Sequence, residues 1–340
     1  MKKIYFTFLL ILCFNLIQAQ QIDYRKSYYP AVNKAELAIS DNKYNIALNF
    51  YLEAFQNVPN PFSKDLFNAA VCAALEQNVM MTISFCEKLL LSGTEITFIQ
   101  SQKVFRRIEE DERWKHFIAN YANYRRRYLL NVNMPLRKEL ELLTAYDQHF
   151  RIQPNGYVIY KDTINAIDIS NIDRVKFIIE KYGFPGEDLI GVKDPLSAPP
   201  FHSILYHHCQ KAADGFGKGM ADFPGDLSDA VKYGKLDPHR FASYVDIQGQ
   251  PVYGNTAFYR IGREGELRYL NMSDNVLKKI NKRRASIGLE PLGEYRKKIL
   301  FSIKDDRFIF NFNDSIIVLE GLDSRDIDNL IENSSLVKTE

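Results

Sequence analysis

From residue 28 onward, small and apolar residues return every three to four positions, the period of a helix that buries one stripe. Ala31, Ala35 and Ala38 mark a first stripe, Tyr44, Ala47, Tyr51 and Ala54 a second, and Asp41-Asn42 between them is a turn. Asn68, Ala69, Cys72, Phe85 and Leu89 keep the register, so another hairpin comes next, with its turn near Asn78. The period recurs in Arg137 to Arg151, where Leu140, Leu143, Asp147, Phe150 and Arg151 share a face. It recurs again in Asn171 to Tyr182, with Ser170 or Asn171 as cap and Gly183 and Pro185 as stop. A third helix begins at Pro199-Pro200 and runs through Cys209; its apolar positions Phe201, Ile204, Leu205, Cys209 and Ala212 carry His208 to the buried face and His207 to its edge.

Only near the end does the pattern change. Ile299 to Ile303, Phe308 to Phe312 and Ser315 to Leu319, separated by Asp305-Asp306 and Asn313-Asp314, read as three short strands of an antiparallel meander. Phe308, Phe310 and Phe312 alternate onto one face, which the helical body is expected to cover, and Ser324 to Ile331 adds a short helix. The fold class predicted is mainly α, with a helical domain over 22–130, a mostly helical domain over 137–296, and a β appendage and tail over 297–340.

In the first domain, Ala47, Tyr51, Ala54 and Pro59 stand where a tetratricopeptide repeat places Ala, aromatic, Ala and Pro, so this stretch resembles such repeats. The second copy departs from the pattern at Met81, where a small residue belongs, and at Gly93, where Pro would close the unit. Phe105 to Phe117, with Asp111, Arg113 and Trp114, looks like the capping segment found after such repeats in exported bacterial proteins; Trp114 reads as a core anchor. Arrays of this kind need about three units to bury a continuous core, so two units should lean on the second domain. The resemblance implies a scaffold or peptide-binding surface, or else a packing platform for that domain.

The second domain carries its own motifs: Asp147-Gln148 with Arg151, Tyr182-Gly183-Phe184-Pro185 with Gly191, His207-His208, Tyr244-Val245-Asp246 followed by Gly249, Tyr253 and Gly254, and Asn281 to Tyr295. In this order they resemble a family of exported bacterial domains of unknown function, over about half the chain. That family usually has Gln-His where His207-His208 stands, and Tyr-Gly-Thr-Gln where Tyr253-Gly254-Asn255-Thr256 stands. The resemblance implies no established activity and no cofactor.

Composition narrows the possibilities. The chain has 340 residues, 25% charged and 46% hydrophobic, with one Trp and four Cys, which excludes a disordered or disulfide-dense chain. Lys2-Lys3, the apolar run Ile4 to Ile17 and Gln18-Ala19-Gln20 read as a signal peptide over 1–19, with export to the periplasm or outside the cell. Cys13 follows bulky Ile11 and Leu12, so no lipid-anchor motif is recognised. Without Lys2 and Lys3 the chain carries 42 residues of each sign, so no electrostatic footprint for nucleic acid is expected. The run Lys278, Lys279, Lys282, Arg283, Arg284 reads as a solvated helix face. Nothing after residue 20 is apolar over the length of a bilayer. Cys72 and Cys86 sit at matching distances from the Asn78 turn; a disulfide is one reading and two packed thiols the other.

His208, Asp147, Gln148, Arg151, Asp246 and Tyr253 are the candidate chemistry: an imidazole, two carboxylates, an amide, a guanidinium and a phenol, adequate in kind for acid–base work if they converge. The plainer account makes His208 a satisfied structural hydrogen bond and Asp147–Arg151 an ion pair at i, i+4. His202, His207 and His208 lack the i, i+4 spacing of helical metal ligands, so no metal is expected. There is no Gly-x-Ser-x-Gly elbow, P-loop or dinucleotide fingerprint, and the Gly-rich stretch Asp214 to Gly219 reads as a loop. Two functions are compatible with these residues: a non-catalytic exported protein that binds a protein or peptide partner on its helical surface, or a hydrolase-like enzyme using His208 with Asp147 or Asp246.

Overall fold

The computed structural model describes residues 22–213, 218–223, 227–248, 252–255, 258–262, 265–310, 316–319, 321 and 323–337. The segment read as a signal peptide and most of the Gly-rich stretch lie outside them, as do Gly249, Thr256 and Phe312.

The chain is mainly helical. Its first four helices, α1 (Tyr28–Ser40), α2 (Tyr44–Gln56), α3 (Ser63–Leu75) and α4 (Val79–Ser92), form two hairpins. Asn42 and Gln77 adopt left-handed backbone at the two turns, and Gly93, at φ +117°, stops α4. The helices approach closely because Ala35, Ala47, Ala54, Ala69, Ala70, Ala73 and Ala74 lie at the contacts and are buried. Cys72 and Cys86 are free buried thiols, so the packed-thiol reading describes them.

Next come α5 (Ile96–Ser101), a 3-10 turn over Lys103–Ile108, α6 (Glu112–Ala119) and α7 (Tyr121–Asn131). Trp114 is buried between Phe105 and Phe117, at ring distances of 5.6 and 5.1 Å.

Helix α8 (Met134–His149) starts at the Asn133 cap, whose side chain accepts from Leu136 N at 3.1 Å. After the single turn α9 (Gly156–Ile159) comes α10, which spans Lys161–Tyr182. The expected start of this helix at Ser170 or Asn171 is therefore corrected. No Gly or Pro breaks the preceding ten residues, and buried Asn171 donates to Leu143 O at 3.1 Å rather than capping its own helix. Then come α11 (Glu187–Ile190), α12 (His202–Ala213), α13 (Leu227–Lys232) and α14 (Pro238–Asp246).

The C-terminal third holds a hairpin of β1 (Phe258–Ile261) and β2 (Leu267–Leu270), then α15 (Asp274–Ser286), α16 (Leu292–Lys304), β3 (Ile316–Leu319), α17 (Ser324–Glu332) and β4 (Ser334–Leu336). The sheet order is β3-β1-β2-β4. Phe258 pairs with Tyr269 in the antiparallel β1–β2 ladder and with Ile316 in the parallel β1–β3 ladder. The sheet is thus small and rich in antiparallel pairs, but two of its strands lie before residue 297, outside the stretch expected to form it.

Of the three predicted strands, Ser315 to Leu319 holds a strand. Ile299 to Ile303 lies instead in α16: Leu292, Tyr295 and Ile299, at helical spacing, are buried with Phe258, Leu267 and Ile280 against the sheet. A five-residue apolar run is ambiguous by itself, and here the longer helical stripe decides it. Phe308 to Phe310 is not a strand. Asn68, on α3, accepts from Ile309 N at 2.8 Å and donates to Ile309 O at 2.7 Å, acting as the strand neighbour this segment lacks. Phe308 and Phe310 pack on Phe301 and on each other, so the helical body covers them. One buried cluster runs from Tyr24 to Phe310, which is how two hairpins obtain the cover they need.

Candidate functional site

Helix α8 carries Asp147 and Gln148 in its last turn, and Arg151 follows two residues past its end. Arg151 Nη1 reaches Asp147 Oδ1 at 3.1 Å and Asp147 O at 2.5 Å, and its Nη2 reaches Asp168 Oδ1 on α10 at 2.6 Å. Gln148 Nε2 donates to Asp147 Oδ2 at 2.5 Å. From α12, Lys211 Nζ meets Asp168 Oδ2 at 2.5 Å, and His207 Nδ1 lies 3.1 Å from Asp147 Oδ2. Burial alone would raise the Asp147 pKa. The hydrogen bond and charge of His207, with the charge of Arg151, outweigh it and hold the carboxyl below its ordinary value.

The imidazole on Asp147 is therefore His207, and His208 is elsewhere: its Nε2 is 3.2 Å from Gly219 O, and its ring stands edge-on to Phe223 at 5.7 Å. Adjacent residues on a helix point about 100° apart, so only one of the pair can face α8. The signal was present in the sequence as His207 and Lys211, an i, i+4 polar stripe beside the apolar one. A His208→Asn substitution should cost about 1 kcal/mol, the worth of one hydrogen bond and its ring contact. Urea unfolding measures it, and a loss above about 3 kcal/mol would contradict this placement.

Asp246 and Tyr253 form a separate group. Asp246, at the end of α14, accepts from Tyr253 N at 2.8 Å and Asn255 N at 2.7 Å; burial pushes its pKa up to about 6. Tyr253 also contributes its carbonyl: Arg284 Nη1 donates to Tyr253 O at 3.0 Å. Asn255 donates to His239 O and Ser243 Oγ at 3.1 and 2.9 Å. Asp246 thus holds the 252–255 segment in place. The six predicted residues fall at three sites: Asp147, Gln148 and Arg151 together, His208 apart, and Asp246 with the Tyr253 backbone.

A fourth cluster escaped sequence reading. Lys298 Nζ on α16 meets Glu36 Oε2 on α1 at 2.6 Å and Glu290 Oε1 at 3.2 Å; Lys64 Nζ on α3 meets Glu36 Oε1 at 3.0 Å and Asp65 Oδ1 at 3.2 Å. His239 Nε2 lies 3.5 Å from Glu290 Oε2, and Tyr28 donates to Asp65 at 2.6 Å. All these side chains are buried, around a void of about 20 Å³. That is room for a water and no substrate. Glu36 and Lys298 each read alone as an exposed helix residue, and a partner 262 positions away leaves no local trace. Among the described residues, no three His, Cys, Asp or Glu side chains gather as a metal site.

The space for a ligand lies elsewhere. A cleft of about 410 Å³ opens between the hairpins and α7 and α11, lined by Phe55, Leu66, Leu91, Tyr128, Asn131 and Glu187, among others. Its back wall depends on two glycines. Gly191 (φ +65°) and Gly93 lie so close to Tyr128 that a Cβ would fall 2.6 and 2.8 Å from its ring. Glu187 Oε2 accepts from Ser63 N and Oγ at 2.8 and 2.6 Å, tying α11 to the first turn of α3, and burial lifts its pKa to about 7. A hollow of equal volume around Phe105, Trp114 and Ile118 is lined by the single stretch 100–119.

Among the described residues, no helix is long and apolar enough to cross a membrane. No family model matches the chain, and neither does any curated protein or solved structure.

Proposed function

We propose that the protein is a non-catalytic binding protein whose inter-hairpin cleft takes an extended peptide segment of a partner, and that it acts outside the cytoplasm. The observation that carries this is the separation of space from chemistry. The 410 Å³ cleft lies on the tetratricopeptide-like hairpins, whereas Asp147 and Arg151 are engaged with each other, His207 and Asp168. Its volume falls in the range of ligand sites. Phe55, Leu66, Leu91 and Tyr128 supply apolar and aromatic contact, while Asn60, Ser92 and Asn131 line the same cleft and can pair with a peptide backbone. A hydrolase pairing His208 with Asp147 or Asp246 finds less support, because the imidazole at Asp147 is His207 and Asp246 accepts from Tyr253 N and Asn255 N. Export rests on the pattern of residues 1–19, and the family reading on the motifs of residues 147–295.

The test is selection of a random heptapeptide library on the full chain. Peptides should be enriched, and exposed Asn131→Trp, which fills the cleft from its rim, should weaken them at least tenfold with an unchanged Tm. Absence of enrichment, or equal binding to the variant, would refute the reading.

A further inference from the structure

A second, smaller pocket of about 50 Å³ adjoins the cleft; Phe62, Glu187 and Gly191 line both. Five cationic side chains line it: Lys64, Arg137, Lys193, Lys235 and Arg240. Two are already neutralised, Lys64 by Glu36 and Asp65, and Lys235 by Asp188. Arg137 is ion-paired with Glu141 through Nε only, and Arg240 acts on Glu187 and Asp237 without a close pair. Arg137 is buried, with Nε on Glu141 at 2.8 Å and Nη1 on Ile190 O at 2.9 Å, while its Nη2 has no partner among the described residues. The Arg240 guanidinium and the Lys193 ammonium likewise make no hydrogen bond or ion pair among the described residues, and Arg240 is half-buried.

Two acids also line the pocket, and both are engaged. Asp237 caps α14, accepting from His239 N at 2.8 Å and Arg240 N at 3.3 Å, and Glu187 is held by Ser63. With its pKa lifted to about 7, Glu187 opposes an incoming anion less than an ordinary carboxylate would. A buried guanidinium with an unused N–H favours a planar oxyanion that it can fork. At 10–15 Å³ per water-sized atom, 50 Å³ holds about three to five such atoms, the size of a carboxylate.

We propose that this pocket binds a carboxylate through Arg137, Arg240 and Lys193, and that the carboxylate is the chain terminus of the peptide lying in the cleft. The assignment rests on the cleft reading, and two measurements separate their fates. In the first, full-length protein with ¹⁵N-labelled arginine is titrated with sodium acetate against sodium chloride at constant ionic strength. The Arg137 Nε–Hε resonance should move saturably with acetate, and at least tenfold more weakly in Arg240→Gln, with Tm unchanged. No saturable shift, an equal shift with chloride, or tighter binding of inorganic phosphate would overturn the carboxylate site.

In the second, library peptides are presented with a free terminal carboxylate and as the carboxamide. The acids should bind at least tenfold tighter to the wild type, and equally to the amides in Arg240→Gln. Peptides that bind alike in both forms overturn the terminal assignment and leave the cleft standing; a library that yields nothing overturns both.

Discussion

Replacing Lys298 by Met should lower the unfolding free energy by about 3–5 kcal/mol, the cost of breaking a buried ion pair from one side. Lys298 is 1% exposed and bridges Glu36 and Glu290. Met fills much the same volume, so packing is kept while two buried carboxylates lose their shared cation. Burial would raise the Glu290 pKa, but the charges of Lys298, His239 and Arg284 prevail and hold it well below its ordinary 4.5. A depressed carboxyl stabilises the fold above its unfolded pKa and loses that contribution as the pH falls through the folded one. The gap between wild type and Lys298→Met should therefore be full at pH 7 and narrow on acidification below about 4.5. Urea titrations at several pH values measure both effects, and a difference under 1 kcal/mol at pH 7 would show the cluster to be dispensable. Glu36→Gln combined with Lys298→Met should cost less than the two single changes together, because they remove one interaction.

Arg151→Met is the second large expectation, again about 3–5 kcal/mol. Arg151 separates Asp147 from Asp168, and its loss leaves Asp147 to His207 and Gln148, and Asp168 to Lys211. The change joins α8, α10 and α12 more loosely without touching the cleft. Peptide affinity measured below the unfolding transition should therefore stay within about twofold of wild type. An Arg151→Met protein as stable as wild type but unable to bind would place the guanidinium in recognition rather than architecture.

The contrast between these two clusters explains how far residue patterns reach. Asp147, in the last turn of α8, and Arg151, two residues past its end, are four apart, so their pairing follows from local geometry alone. Glu36 and Lys298 are 262 positions apart, and each looks like an ordinary solvated residue until α16 packs on α1. His207 and His208 show the boundary between the cases. Periodicity brought both near the buried face, but which ring met Asp147 depended on the rotation of α12 against α8, a difference of one residue.

Local, repeated features were set by sequence alone: the two hairpins with their alanine contacts, the Gly93 stop, the Trp114 anchor, the mainly helical class and the i, i+4 ion pair at the end of α8. Each depends on side chains a few positions apart, where the 3.6-residue period dictates neighbours. Tertiary packing alone decided the rest. It drew β1 and β2 into one sheet with β3 and β4, turned Ile299 to Ile303 into helix, seated Ile309 on Asn68, gathered the Glu36–Lys298 charges and opened the cleft beside Glu187. Those outcomes join segments remote in sequence, and their energy comes from desolvating surfaces that meet only after the helices have formed.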